Sequence, residues 1–147
     1  MNFSQLDRAT PDALRDVPPA PGGSGRRVLL IDEDELFRRA LQGALRCLGF
    51  DVTAAEGAEI AVELVRASPL EFGAVITDRA MSRTTGIELV AELRIIAPHI
   101  RVAVHSTTPN VVARGVVRFI KKPAPLADLT DALRALLDAS AAHARAR

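Results

Sequence analysis

The sequence contains no tryptophan, no tyrosine and only five phenylalanines. It therefore has little of the aromatic surface on which bases or sugars stack, and a function built on such stacking is excluded. Charge of one sign is also missing: 19 basic residues stand against 18 acidic ones. No general field draws the chain to nucleic acid or to an anionic membrane, so partners must be proteins recognised by shape. The lone cysteine, Cys47, cannot close an internal disulfide; its place in a helical apolar pattern predicts a small buried residue in a reducing compartment. No apolar run is long enough to span a bilayer, and Met1 to Asp7 lack the sustained apolar core of a secretory signal. A cytoplasmic protein is expected. His99, His105 and His143 are scattered, with no cysteine or carboxylate at ligand spacing, which argues against a histidine metal site, although His105 adjoins Ser106.

What is present is enough for one core: 147 residues, 48% of them hydrophobic. Residues 1–26 end in Pro18-Pro19-Ala20-Pro21-Gly22-Gly23-Ser24-Gly25, a composition that resists regular structure and reads as a flexible leader. From Arg27 the pattern changes to short apolar runs alternating with amphipathic segments. Val28–Ile31, Asp51–Ala54, Ala74–Thr77, Val102–Val104 and Arg118–Ile120 are predicted strands. Between them lie predicted helices: one carrying Leu36, Ala40, Leu41, Ala44, Leu45 and Leu48 inward, then Ala58–Ala67 with Ile60, Ala61, Leu64 and Val65 inward. Gly86–Ile96 follows, with Ile87, Val90, Ala91 and Leu93 inward. A helix of barely two turns is expected between Pro109 and Gly115, and the last helix runs from Pro125 to Ala139 on a stripe of leucines. Residues 27–138 are thus read as one α/β domain, a doubly wound five-stranded parallel sheet, with 139–147 as a frayed tail.

The chemistry sits where the apolar runs end. Asp32-Glu33 closes the first, Asp78 the third, Ser106 the fourth and Lys122-Pro123 the fifth. In an open parallel sheet the carboxyl ends of strands share one crevice, so these distant residues are expected to converge. Three carboxylates together at neutral pH call for a cation, and Mg2+ favours carboxylate and water ligands. A hydroxyl and an ammonium opposite suit a phosphoryl group. The crevice reads as a metal-assisted site where phosphate is placed on a carboxylate. Taken singly, each piece has a plainer reading: Asp32-Glu33-Asp34-Glu35 as cap and first-turn acid of a helix, Ser106-Thr107-Thr108 as a turn, Phe119 as core.

Taken together, Leu29-Leu30-Ile31-Asp32-Glu33, Asp78-Arg79-Ala80-Met81, Gly86, Ser106 and Phe119-Ile120-Lys121-Lys122-Pro123 resemble the receiver domain of bacterial two-component response regulators, from about Arg27 to Leu137. The resemblance implies a flavodoxin-like (βα)5 receiver fold. It implies that Asp78 accepts a phosphoryl group from a histidine kinase or phosphotransfer protein. Glu33, Asp78 and the backbone carbonyl of Ala80 would ligate Mg2+, with Asp32 acting through water or by orientation. Lys122, Ser106 and the amide of Thr107 would bind phosphoryl oxygens, Ser106 and Phe119 would form the switch, and the Lys122-Pro123 peptide would be cis.

Three departures from the family pattern stand out: Glu33 where aspartate is usual, Ser82 where proline commonly follows Met81, and a stretch from Ser106 to Lys122 short enough to truncate the fourth helix. No output domain follows Leu137, so a stand-alone receiver acting on a protein target, without catalytic turnover of its own, is expected. One alternative is a pseudo-receiver that binds partners without phosphate. Another, remote, is a haloacid-dehalogenase-like phosphatase using Asp32-x-Asp34.

Overall fold

A strand covered on both faces must bury every side chain, and Val28, Leu29, Leu30 and Ile31 are all at most 1% exposed. A computed structural model describes residues 26–107 and 116–146 of the chain. The five strands β1 (Arg27–Ile31), β2 (Val52–Ala55), β3 (Phe72–Asp78), β4 (Arg101–Ser106) and β5 (Val116–Lys121) form one sheet in the order β2-β1-β3-β4-β5. Every pairing is parallel. Between and after them run α1 (Glu35–Cys47), α2 (Ala58–Ala67), α3 (Gly86–Ile96) and α4 (Leu126–Arg145). This is the doubly wound parallel sheet read from the alternation of apolar runs and amphipathic segments, in the flavodoxin-like strand order that the family resemblance implies.

Alternate residues of the strands feed two cores. Val28, Leu30, Ile76 and Ala103 pack with Leu41 and Leu45 of α1 and with Leu129, Leu133 and Leu136 of α4. Leu29, Ile31, Val75 and Val102 pack on the other face with Ala61 and Val65 of α2 and Leu89 and Leu93 of α3. The order in which successive strands are added to the sheet reverses between β1 and β3, which opens the crevice at their carboxyl ends.

Local signals set the helix ends. Asp34 caps α1 by accepting from the Phe37 amide at 3.1 Å, and Glu35 supplies first-turn acid, so half of the acidic run is helix-start chemistry. Gly49, at φ 94°, turns the chain out after α1, a conformation glycine adopts freely. Thr85 and Glu88 form a reciprocal capping box at the start of α3, readable as Thr-x-x-Glu before an apolar run.

Several sequence readings need correction. Strand β3 begins at Phe72 and includes Asp78, β4 runs Arg101–Ser106 and β5 Val116–Lys121, each longer than read because ladder pairing continues on both sides of the apolar run. Cys47 is exposed, not buried: at about 100° per residue it lies about 200° around α1 from Leu45, which faces the core. Leu36 is 83% exposed, Leu48 and Ile60 also reach solvent, and Ala91 is exposed. In α2 the inward stripe is Ala61, Val62 and Val65, and in α3 Leu89 takes the place read for Ala91. Helix α4 continues past Ala139 to Arg145, and its own Ser140 is buried. The helix expected between Pro109 and Gly115 and the leader up to Gly25 lie outside the described residues.

Leu45→Ala is expected to lower unfolding free energy by about 3 kcal/mol through lost transfer energy and a residual cavity. Leu36→Ala should cost less than about 0.5 kcal/mol, since its side chain is in water. Urea titrations of the two variants measure the difference.

Candidate functional site

Strand β1 delivers Asp32 to the crevice, β3 delivers Asp78, β4 Ser106, and the residue after β5 is Lys122. The Lys122 ammonium lies 3.3 Å from Asp32 Oδ2 and 3.5 Å from Asp78 Oδ2, bridging two carboxylates separated by 46 residues of chain. Asp32 is 4% exposed, and its other oxygen accepts from the Asp34 amide at 2.9 Å. Two carboxylates so placed repel each other unless a cation lies between them, and the ammonium supplies that charge. Arg38 donates to the backbone carbonyl of Asp32 at 2.7 Å, fixing the strand end from the first helix. Its role had no signature in the sequence.

A cleft of about 320 Å³ opens beside Lys122, lined by Asp78, Arg79, Ala80, Thr85, Ser106, Thr107 and Lys122. Ser106 is buried at its floor and Thr107 is exposed at its rim. Strand pairing carries Lys122 here: β4 and β5 run in register from Ala103↔Arg118 to Ser106↔Lys121, and the Lys122 amide donates to the Ser106 carbonyl at 2.9 Å. The Lys122–Pro123 peptide is cis. Phe119 is half-buried on β5 and lines a separate groove with Arg118 and Pro123.

Glu33 does not join the group. Its Oε1 accepts from the Ser82 amide at 2.6 Å and from the Ser82 hydroxyl at 2.8 Å, and the side chain lines a different cleft with Glu56, Glu59 and Met81. The Ser82 amide first, then its hydroxyl, holds the Glu33 carboxyl below the usual carboxylate range. Among the described residues no three of His, Cys, Asp and Glu gather as a ready metal cage. The remaining set still fits Mg2+, which binds through one or two carboxylates and keeps several waters: Asp32 and Asp78 converge on one cation, and Ala80 lines the same cleft.

His105 and Phe37 lie beneath the ammonium. Lys122 Nζ sits 4.9 Å above the Phe37 ring, and the Phe37 and His105 ring centroids are 5.7 Å apart. The imidazole is 3% exposed, and neither of its nitrogens has a hydrogen-bond partner among the described residues. Burial first, then the Lys122 charge, pushes its pKa down to about 4, against a smaller opposing pull from Asp32. The position next to Ser106 was visible in the sequence; that it faces Phe37 depends on the alternation along β4.

Gly86 governs how closely α3 approaches the Asp78-Arg79 backbone. A Cβ there would sit 2.5 Å from the Asp78 carbonyl oxygen and 3.2 Å from Arg79 Cα, both backbone atoms. The Gly86 amide donates to the Arg79 carbonyl at 2.9 Å, tying the helix start to the strand end.

A doubly wound sheet whose switch point brings two strand-end aspartates onto one lysine has the architecture of a receiver domain. The sequence profile of the response regulator receiver domain matches residues 28–134, and the chain belongs to that family of two-component signalling domains. It is similar to the transcriptional regulatory protein FixJ of Azorhizobium caulinodans, 34% identical over 80% of this chain and 58% of that protein. It is also similar to the response regulator receiver protein CpdR of Brucella abortus, 29% identical over 78% of this chain and 99% of that protein. The chain thus spans little more than half of FixJ, and 52% of the Mycobacterium leprae regulator PrrA. In fold it resembles the CheY-like receiver domain protein of Methanospirillum hungatei, with a TM-score of 0.74 at 19% identity, covering 82% of this chain and 99% of that one. No helix among the described residues is long and apolar enough to cross a membrane.

Two outcomes follow from this geometry. Gly86→Ala should destabilise the domain by about 2 kcal/mol despite the better helix propensity of alanine, because neither backbone contact can yield cheaply; thermal unfolding measures it. For His105, the folded pKa lies near 4 and the ordinary value is 6.5. Between these the unfolded chain binds more protons, so stability rises with pH and is lost on acidification from 6.5 toward 4. Urea unfolding at pH 7 and pH 5 should differ by about 2 kcal/mol from this residue, a contribution absent in His105→Leu.

Proposed function

We propose that Asp78 is a phosphoacceptor, taking a phosphoryl group from a phosphohistidine of a kinase or phosphotransfer protein. An Asp78 carboxylate oxygen attacks phosphorus, the P–O bond forms as the P–N bond breaks, and the electron pair leaves with the imidazole. The single observation carrying this reading is the Lys122 ammonium poised 3.5 Å from the Asp78 carboxylate at the mouth of an open cleft. Lys122 neutralises phosphoryl oxygens, while the Ser106 hydroxyl and the Thr107 amide donate to another. Asp32, Asp78 and the Ala80 carbonyl would hold Mg2+, with Glu33 a third carboxylate on the adjoining loop. When bound, the ion withdraws charge from the phosphoryl oxygens.

Ser106 and Phe119 carry the signal outward: the hydroxyl moves toward the acquired phosphate and the half-buried ring follows on β5. Output is through a protein partner in the cytoplasm, without nucleic acid, membrane or substrate turnover. A second reading, a pseudo-receiver that docks partners without phosphate, is favoured by one observation, the engagement of Glu33 by Ser82 outside the acceptor cleft. The phosphatase reading loses support because Asp34, its would-be acid, is occupied capping α1.

Incubation with acetyl phosphate and Mg2+ should give one phosphoryl group per chain that base and hydroxylamine remove, lost in Asp78→Asn. Labelling that persists in that variant, or borohydride trapping at Asp32, would overturn the assignment; no labelling with any metal or cognate donor favours the pseudo-receiver.

A further inference from the structure

Two departures from the family pattern, Glu33 and Ser82, meet in space. The glutamate leaves β1 and the serine follows β3, 49 positions later, yet both Ser82 donors converge on one carboxylate oxygen at 2.6 and 2.8 Å. Bonds this short to an ionised acceptor are of the stronger, charge-assisted kind. Each residue has the chemistry that the other requires. An aspartate at position 33 would fall short by one C–C bond, about 1.5 Å, and a proline at position 82 would offer neither an amide nor a hydroxyl proton.

The direction of the pull matters. It brings the Glu33 side chain into a cleft of about 380 Å³ lined also by Glu56, Glu59 and Arg83, where Arg83 pairs with Glu59 at 3.5 Å and the two Ser82 donors hold Glu33. The Asp78–Lys122 cleft is lined by other residues. The bond also fastens the loop after β3, which carries the acceptor, to the loop after β1.

We propose that Glu33 and Ser82 form a latch that withholds a third carboxylate from the Asp32–Asp78 cleft and thereby weakens divalent-cation binding there. This rests on the reading of that cleft as a Mg2+ site. Opening the latch gives the cleft a further anionic ligand, so Ser82 sets cation affinity without touching the cation.

The latch is read in two ways on the full chain. Hydrogen exchange of the Ser82 amide should be protected in the native protein and lose its protection in Glu33→Ala; equal exchange in both overturns the latch itself. Calorimetric titration with Mg2+ should show Ser82→Pro binding about tenfold more tightly than the native chain, as an added charged ligand predicts. Ser82→Ala, which keeps the amide, should shift the same way by less, and it serves if the proline variant does not fold. In a Glu33→Ala background neither serine substitution should tighten binding. Weaker binding in the serine variants would mean that Ser82 presents Glu33 to the ion, and equal tightening in both backgrounds would mean that Ser82 acts by another route; either result overturns the proposal. A protected Ser82 amide with no Mg2+ binding in any variant overturns the metal reading of the cleft, and this role of the latch with it.

Discussion

The site depends on one ammonium between two carboxylates. Lys122 reaches Asp32 and Asp78 at 3.3 and 3.5 Å and so draws together the ends of β1, β3 and β5. The pairs are largely shielded from water, so the attraction is screened less than on an open surface. Removal of the lysine would leave two buried or half-buried acids facing each other, a costlier state than the absence of the whole cluster. The same attraction keeps Asp78 at the edge of the cleft that it lines with Ser106, Thr107 and Lys122.

Around that triad the chain spends stability on arrangement. Gly86 gives up helix propensity so that α3 can start against the Asp78 carbonyl. His105 is buried without hydrogen-bond partners among the described residues, which costs desolvation that a leucine would not. The cores on both faces of the sheet, built from the strand residues alternating toward α1 and α4 or toward α2 and α3, supply the excess stability that makes such positions tolerable.

The crevice is divided by a single residue. Asp32 and Glu33 are neighbours in sequence, yet one faces Lys122 and the other Ser82, because successive side chains at a strand end point to opposite sides. The acidic run thus has three different employments: Asp32 with the lysine, Glu33 with the loop after β3, and Asp34 with the amide of Phe37 at the helix start. Composition alone treats these as one negative patch.

The sequence by itself determined the parallel sheet and the chain order of its elements, since an apolar run as short as Val28–Ile31, bounded by charged residues, suits a strand covered twice better than a helix, and helices between such runs favour parallel pairing. It also determined that Asp32, Asp78 and Lys122 stand at strand ends on one side, because parallel strands point their carboxyl ends the same way. Tertiary structure decided what periodicity leaves open by a residue: the inward stripe of α2, the exposure of Cys47 and Leu36, and the extension of α4 past Ala139. It alone decided that Glu33 meets Ser82, that Arg38 holds the Asp32 carbonyl and that His105 packs on Phe37. Those contacts join residues whose separation in sequence carries no period, and they exist only once side-chain direction and loop path are fixed in space.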